Sequence, residues 1–569
     1  MATRKHLVRV AVLTAVALMS AAGCGGAKAN APAVGGSASF AGCVQHPNDC
    51  NSGPTTRGGT LTYAVEKPIN GWNLADADAN SFESTQVLAG VLPSAFIAYP
   101  DLSVRVNSDL LVSAEQTATS PQTVVYRIQS RAVWDDGTPI SGDDFAYAWQ
   151  TQNGKDCPDC SAASTAGYDQ IASLSQSDGG KTVTVTFQPT FADWKSLFTS
   201  LYPAHVARAH GALAASWKWF NANPPTFSGG PYKISGYEPD VAVTEVPNPR
   251  WYGKVQPALD RLVFRIITDQ TAELSALRNN EVQAIYPRPT ADLVNSVKAE
   301  PSVQYTVGKG LSWEHLDLNL KNPLLSDGQL RRAVFTAIDR KAIISKTVGQ
   351  VLADTPALGS HNFVPGQPSY RDVVTPTGQG AGDVAKARKL LTDAGYRDVG
   401  SALKTPAGAP VTLRVTYAAG NSMRAQIAEL IQGQLGQLGI TVKIVPVTDF
   451  GTALTGGDFD LILFAWTGNP FPVGNALQSW ASDGGGNFGG WQNDASDRLL
   501  RQAATETDAA KAADLLNQAD QIMAGDAYVL PLFQNPTLLA VNGRFANIRD
   551  NATSFGPTYN VQEWGPRKR

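Results

Sequence analysis

The segment FDLILFAWTGNPFP, residues 459–472, constrains the fold more than any other stretch. Residues 459–465 are apolar except for Asp460. A continuous apolar run this short reads as a strand buried on both faces, as in a parallel sheet covered by helices. It breaks off at Trp466-Thr467-Gly468-Asn469-Pro470, which brings together an aromatic plane, a hydroxyl, a flexible glycine, an amide and a helix-breaking proline. In open α/β sheets, ligands bind in the crevice beyond the carboxyl ends of the strands. The run therefore passes through a core and emerges at a binding cleft. Upstream, residues 411–417 alternate apolar and polar, and Asn421-Ser422 can cap a helix. Its apolar positions Ile427, Leu430, Ile431, Leu435 and Leu438 recur at helical spacing, and Gly439 stands where a stop is expected. Residues 440–447 then read as a second strand. The three elements form a βαβ unit, with parallel strands and a right-handed crossover.

The amino terminus sets the address. Arg4, Lys5 and Arg9 precede an apolar run over residues 10–22. That run is shorter than the roughly twenty residues of a bilayer span and fits the core of a signal peptide, residues 1–23. Small residues stand directly before Cys24, as in a bacterial lipobox, a likeness that makes Cys24 the lipidated first residue of the mature chain. Residues 24–57 are small, polar and rich in Gly and Pro, the composition of a flexible tether. The expected protein is extracytoplasmic and anchored to the membrane by lipid. A net charge of −3 over 569 residues gives no basic excess for nucleic acid.

Beyond Cys24 the cysteines are Cys43, Cys50, Cys157 and Cys160. An even count outside the cytoplasm favours disulfides. Cys43–Cys50 with Cys157–Cys160 is the local pairing, and two other connectivities exist. Cys157-Pro-Asp-Cys160 also has the form of a redox CxxC or half a zinc site. No βαβ context precedes it and no second CxxC follows, so structural use is expected.

Residues 58–65 alternate as a first strand, with Gly71-Trp72-Asn73 beyond its end. Residues 124–128 are another strand. Asp136-Gly137 marks a tight turn, and Ser141, three before Asp144, starts a helix. The run YRIQSRAVWDDGTPISGDDFAYAW here resembles the solute-binding proteins of ATP-driven importers of the peptide/nickel class. The likeness continues in SGGPYKI (228–234), NPRWY (248–252), LDLN (316–319), LRRAVFTAIDR (330–340), the helix over 383–396, DFDL (458–461), DRLL (497–500) and LPLF (530–533). It spans residues 58–569. The order and spacing of these motifs carry the resemblance, since each is short.

This resemblance implies an α/β fold of the periplasmic-binding-protein type II kind: two lobes with a hinge plus an additional subdomain. It puts chain crossings near 308–310 and 523–528. Lobe I would then hold 58–308 with 528–569, including a subdomain at about 90–190. Lobe II would hold 309–527. It implies a monomer that takes a peptide or other small solute into its cleft and hands it to permease subunits with an ATPase, without chemistry, cofactor or metal. In peptide-binding relatives, the loop resembling Ala465-Trp466-Thr467 pairs its backbone with an extended peptide, a strand addition that supplies affinity without sequence choice. Where such relatives commonly carry an Asp for the peptide's amino terminus, this chain has Asn469, which holds no charge. The expected ligand contacts are Trp72 and Asn73 from one lobe, Trp313, Glu314 and His315 just past the first crossing, and Ala465, Trp466, Thr467, Gly468 and Asn469 from the other lobe.

The Asn-Pro-Phe-Pro loop and residues 484–490 resemble an actinobacterial subgroup, one mycobacterial lipoprotein of which is implicated in phosphatidylinositol mannoside metabolism. A binding or regulatory lipoprotein of envelope glycolipid synthesis is thus the alternative. Other signals fall away. GGGNFG over 484–489 satisfies G-x-G-x-x-G but neither follows a strand nor opens a helix. Ser401-Ala-Leu-Lys404 satisfies S-x-x-K, but S-D-N and K-T-G are absent. His315 alone makes no metal site.

Overall fold

The computed structural model describes residues 40–568 except 41 and 44. The signal peptide, Cys24 and most of the tether lie outside the described residues. Two long antiparallel strands, Val303–Leu318 and Val529–Asn542, form the spine of the molecule. They unite ten strands in one sheet. On one side of the spine the order is Leu461–Thr467, Thr412–Ala418, Thr441–Val447. On the other it is Ala284–Ile285, Thr60–Val65, Arg261–Ile266, Ala242–Pro247, Tyr232–Glu238. Each half is covered on both faces. Leu61, Tyr63 and Val65 join one core, while Ala64 faces the opposite core with Leu274, Leu277 and Leu538. In the other half, Leu316, Leu318, Leu413, Leu461 and Leu530 share a core that contains no residue of the first half. These are the two lobes.

Between them the spine loses register. Lys309 stands opposite Pro536 and Trp313 opposite Gln534, so residues 310–312 face Asn535 alone. The extra residues bend the strand, as a bulge does. Here the chain needs glycine for close approach: a Cβ on Gly310 would lie 2.6 Å from the Asn535 carbonyl oxygen. Ala527 and Tyr528 join the helix Ala509–Asp526 to the second long strand, and Ala527 takes a left-handed conformation with φ 53°.

The βαβ unit forms as its periodicity predicts. Thr412–Ala418 and Thr441–Val447 pair in parallel over their whole length, linked by the helix Ser422–Gly436, which Asn421 caps through Arg424 N–H. The apolar run is buried on both faces: Leu461 and Leu463 point into one core, and Ile462 and Phe464 into the other with Phe459. Two expectations need correction. The strand does not end before Trp466, because Trp466 and Thr467 pair with Trp313 and Ser312. Its setting is not purely parallel either. It runs antiparallel to the long strand along all of Leu461–Thr467 and meets Thr412–Ala418 only at Leu461 and Ile462.

An additional subdomain is built on a four-stranded sheet, ordered Leu111–Thr119, Gln122–Ile128, Thr182–Phe187, Ile171–Ser177. Its helix Gly142–Gln152 opens with the capping box of Ser141 and Asp144. Cys157 bonds Cys160 beside this helix, packed near Trp217, and Cys43 bonds Cys50 in the amino-terminal segment. That segment is held by the carboxyl-terminal one: Asn51 donates to the Ile548 carbonyl at 3.0 Å, and Arg567 donates to Asn51 at 2.6 Å.

Glu245 is a carboxyl that lobe I buries without a partner. Glu245 is fully buried and neither of its oxygens is hydrogen-bonded. Burial pushes its pKa far above the usual carboxylate range, so it is folded in as the neutral acid. A group raised in the folded state stabilises below its unfolded pKa, and that contribution is lost as pH rises through the folded value. Glu245→Met, near in volume and free of unpaired polar atoms, should match or exceed the wild-type unfolding midpoint at pH 7. It should also remove part of the stability loss as pH rises above the ordinary carboxylate range, as read by thermal melts at acidic and neutral pH.

Candidate functional site

A cavity of about 2170 Å³ lies between the lobes, with the spine as its floor. Gly310, Leu311 and Ser312 line it from one long strand, and Asn535, Pro536 and Thr537 from the other. The loss of register thus exposes backbone of both strands to the cavity.

Lobe II contributes the end of the apolar strand. Ala465, Thr467, Gly468 and Asn469 line the cavity. Gly468 N–H donates to the Leu311 carbonyl at 2.9 Å. Alternation along an antiparallel ladder then makes Trp466 and Phe464 the residues that exchange bonds with the long strand. The amide and carbonyl groups of Ala465 and Thr467 point the other way. On that side Thr412–Ala418 pairs only with Leu461 and Ile462, so among the described residues no strand covers the edge of 463–467. Asn469 is engaged locally: its Oδ1 accepts from Phe471 N–H at 2.7 Å and its Nδ2 donates to Asn475 at 3.0 Å.

The other expected residues divide. Glu314 lines the cavity but is only 2% exposed, held by Arg424 in a two-bond pair at 3.0 Å each. Asn535 Nδ2 donates to it at 3.2 Å. Trp466 backs the wall, its ring stacked between those of His315 and Phe488 at 6.1 Å from each. Trp313 and His315 are not on the wall. Trp313 joins a buried cluster behind the spine, and His315 is fully buried, its Nδ1 bonded to Asp317 at 2.6 Å. Trp72 and Asn73 also lie off the cavity: Trp72 meets Tyr237 edge-on at 4.9 Å, and Asn73 Oδ1 accepts from Ala75 N–H. In each case the residue sits where its flanking strand or turn aims it into a core, which apolar neighbours in sequence do not disclose.

Several charged wall residues escaped the sequence reading. Lobe I supplies Glu66, Lys67, Glu83 and Asp193; lobe II supplies Arg424. Arg424 carried a faint signal, as the third residue after a capping Asn. Asp193 carried none, because its partner is far away in the chain. Its Oδ2 accepts from Gly474 N–H at 2.9 Å, at the start of the lobe II helix Pro472–Trp480. Next to it, Ala192 N–H donates to the Ala504 carbonyl at 3.3 Å. Asp193 thus ties the subdomain to lobe II across the cavity mouth. Burial pushes its pKa up to about 6, against the hydrogen bonds from Gly474 and Val473.

These features define a two-lobed binding protein with its ligand cavity at the hinge. The chain belongs to the bacterial extracellular solute-binding proteins, family 5, whose middle region matches residues 105–488. It is 30% identical to the oligopeptide-binding protein OppA of Mycobacterium tuberculosis over 498 residues, covering 86% of this chain and 82% of OppA. It is 28% identical to the probable monoacyl phosphatidylinositol tetramannoside-binding protein LpqW of the same organism, over 66% of this chain and 63% of LpqW. Among solved structures, the periplasmic EDTA-binding protein EppA superposes with a TM-score of 0.88 at 40% identity, covering 92% of this chain and 99% of EppA. Among the described residues, no helix is long and apolar enough to cross a membrane.

The Asp193 tie carries a pH dependence. With the carboxyl raised to about 6 when the lobes touch, its contribution to closure is full below the open-state value of about 3.9 and is lost as pH rises through about 6. Asp193→Asn keeps a neutral acceptor for Gly474. Scattering measurements of the radius of gyration between pH 4 and 8 should show the wild type opening with pH more than this variant does.

Proposed function

We propose that this chain is a lipid-anchored, extracytoplasmic solute-binding protein that takes an extended, peptide-like solute between its lobes and delivers it to the permease of an ABC importer. The observation that carries the reading is the uncovered edge at Ala465 and Thr467, whose amide and carbonyl groups face the cavity. A peptide laid along this edge adds a strand, bound through main-chain groups that every sequence shares. The size of the cavity fits: it is about 2170 Å³, against roughly 300–1,000 Å³ for pockets that hold drug-sized ligands. The similarity to OppA supports the same class. The lobes close about the bulged spine, 309–313 against 534–536, as hinge motions concentrate in a few element-terminal residues. Lobe I then comprises 58–308 with the carboxyl-terminal segment and lobe II the remainder, tethered through Cys24. Trp466 and Trp313 act as backing that holds the edge flat, rather than as ligand platforms.

A second reading, a binding or regulatory lipoprotein for an envelope glycolipid, is favoured by the similarity to LpqW. Native mass spectrometry of the protein purified from its own host separates the two. A ladder of masses that fragments as short peptides is the expected result. A single mass carrying hexose or inositol phosphate replaces the importer reading with the glycolipid one, and a metal chelate removes both. For a peptide so identified, N-methylation of an amide that meets the edge should weaken binding about tenfold or more, because an unmade hydrogen bond at a buried group costs about 1–3 kcal/mol. Equal affinity for every methylated position would move the ligand off this edge.

A further inference from the structure

On the lobe I side of the cavity one buried carboxyl is left short of donors. Glu83 lines the cavity from the first turn of the helix Phe82–Leu88, yet is only 4% exposed. Its Oε2 has no hydrogen-bond partner. Its Oε1 has Lys67 Nζ at 3.6 Å, an ion pair too long for a hydrogen bond, from a lysine whose side chain is 63% exposed. Glu66 also lines the cavity and accepts from Gln270 Nε2 at 3.2 Å. Behind them Glu273 is 1% exposed with both oxygens unpartnered, and the Tyr63 hydroxyl is fully buried and unpartnered. The charges of Glu273, Glu66, Asp550 and Glu83 all bear on that hydroxyl, which locates the four carboxyl groups around it. Asp550 is satisfied, by Tyr286 at 2.7 Å and Thr537 at 2.6 Å. Glu273 is pushed up to about 8 by burial and by Glu66, so it is largely neutral at pH 7.

Glu83 and Glu273 leave acceptors unfilled; Lys67 is the cation paired with Glu83, and Arg288 lines the cavity nearby, its carbonyl sharing Gln270 Nε2 with Glu66. Among the described residues, no three acidic, His or Cys side chains are arranged to hold a metal ion. What completes such a wall is a group that brings several N–H donors and a positive charge. Beside it Phe82 is 38% exposed and lies 6.1 Å from Tyr286, an apolar surface for the stem that would carry such a group.

We propose that Glu83, with Glu66, forms a site for a primary ammonium or guanidinium group of the ligand, which displaces Lys67 from Glu83. This rests on the reading of the cavity as a solute site and narrows the solute to one bearing a cation. At the strand edge itself, Asn469 is neutral and its amide is already engaged.

The test is calorimetry on the purified protein with N-acetylated tetra-alanine peptides in which lysine, norleucine or glutamate replaces each position in turn, and with cadaverine as a probe independent of the peptide backbone. At one position lysine should bind about tenfold or more tighter than norleucine, the value of a hydrogen bond to a charged group, and glutamate should bind more weakly than norleucine. Glu83→Gln should collapse the lysine-to-norleucine ratio, and Lys67→Ala, at an exposed position, should raise affinity for cadaverine. Equal binding of lysine and norleucine at every position, or a ratio that survives Glu83→Gln, overturns the site and leaves the peptide reading standing. Cadaverine binding that Lys67→Ala strengthens and Glu83→Gln abolishes, with no peptide bound, supports the site while the peptide reading falls. No binding of any probe overturns the site.

Discussion

The pairing of Val303–Leu318 with Val529–Asn542 is the constraint on which the rest depends. Each strand gives side chains to both lobes: Val303 and Leu316 lie in different cores, as do Leu530 and Leu539. Neither lobe's sheet is complete without this pair. The strands can serve both lobes and still bend only because the ladder is interrupted, with residues 310–312 against Asn535. A continuous ladder there would turn the same backbone groups toward each other and away from the cavity. The interruption makes the hinge and the cavity floor together, so closure and binding share residues.

Electrostatics divide the cavity. Beside the strand edge of lobe II, Glu314 and Arg424 neutralise one another through two bonds while only 2% and 14% exposed at their side chains. Breaking such a pair by removing one partner is costly, because it strands a buried charge. Glu314 therefore serves the spine, fixing the start of the helix Ser422–Gly436 against it. What the strand edge of lobe II exposes is backbone. Lobe I offers carboxylates, and at the mouth Asp193 accepts from the first turn of the helix Pro472–Trp480, where a helix end favours an acceptor.

Local physics made much of this legible in the sequence. The burial of the run 459–465 on both faces, the alternation over 411–417, the helical spacing that begins at Ile427 and the Ser141–Asp144 box each depend on residues a few positions apart, and these formed as read. The direction of the 461–467 strand was not legible, since its main partner is more than a hundred residues away. The aromatic residues were ambiguous for a physical reason. Trp72 beside Gly and Asn has the composition of an exposed loop, yet the turn delivers its ring to Tyr237. Trp313 and His315 alternate with Ser312 and Glu314 on a strand, and only the position of the second lobe decides which face meets solvent. Glu83 was invisible for the converse reason. Its depth comes from Tyr63 and the carboxyl-terminal segment, whose packing no local pattern reports.

In the proposed reading, the two walls act at different stages of closure. The uncovered edge at Ala465 and Thr467 belongs wholly to lobe II and the spine, and it can hold an extended chain in any arrangement of the lobes. Lobe I cannot act on that chain until it swings over. A ligand shifts a conformational equilibrium only by its differential affinity for the two states, so edge contacts made equally in both contribute affinity but no closure. The contacts that lobe I adds are the ones that drive the lobes together. A wall of Glu66 and Glu83 ties that driving force to charge, because a neutral solute leaves the buried Glu83 oxygen without a donor in the closed form, at the cost of an unsatisfied charged group. The proposed site would thereby make capture tolerant of sequence and closure selective for a cation.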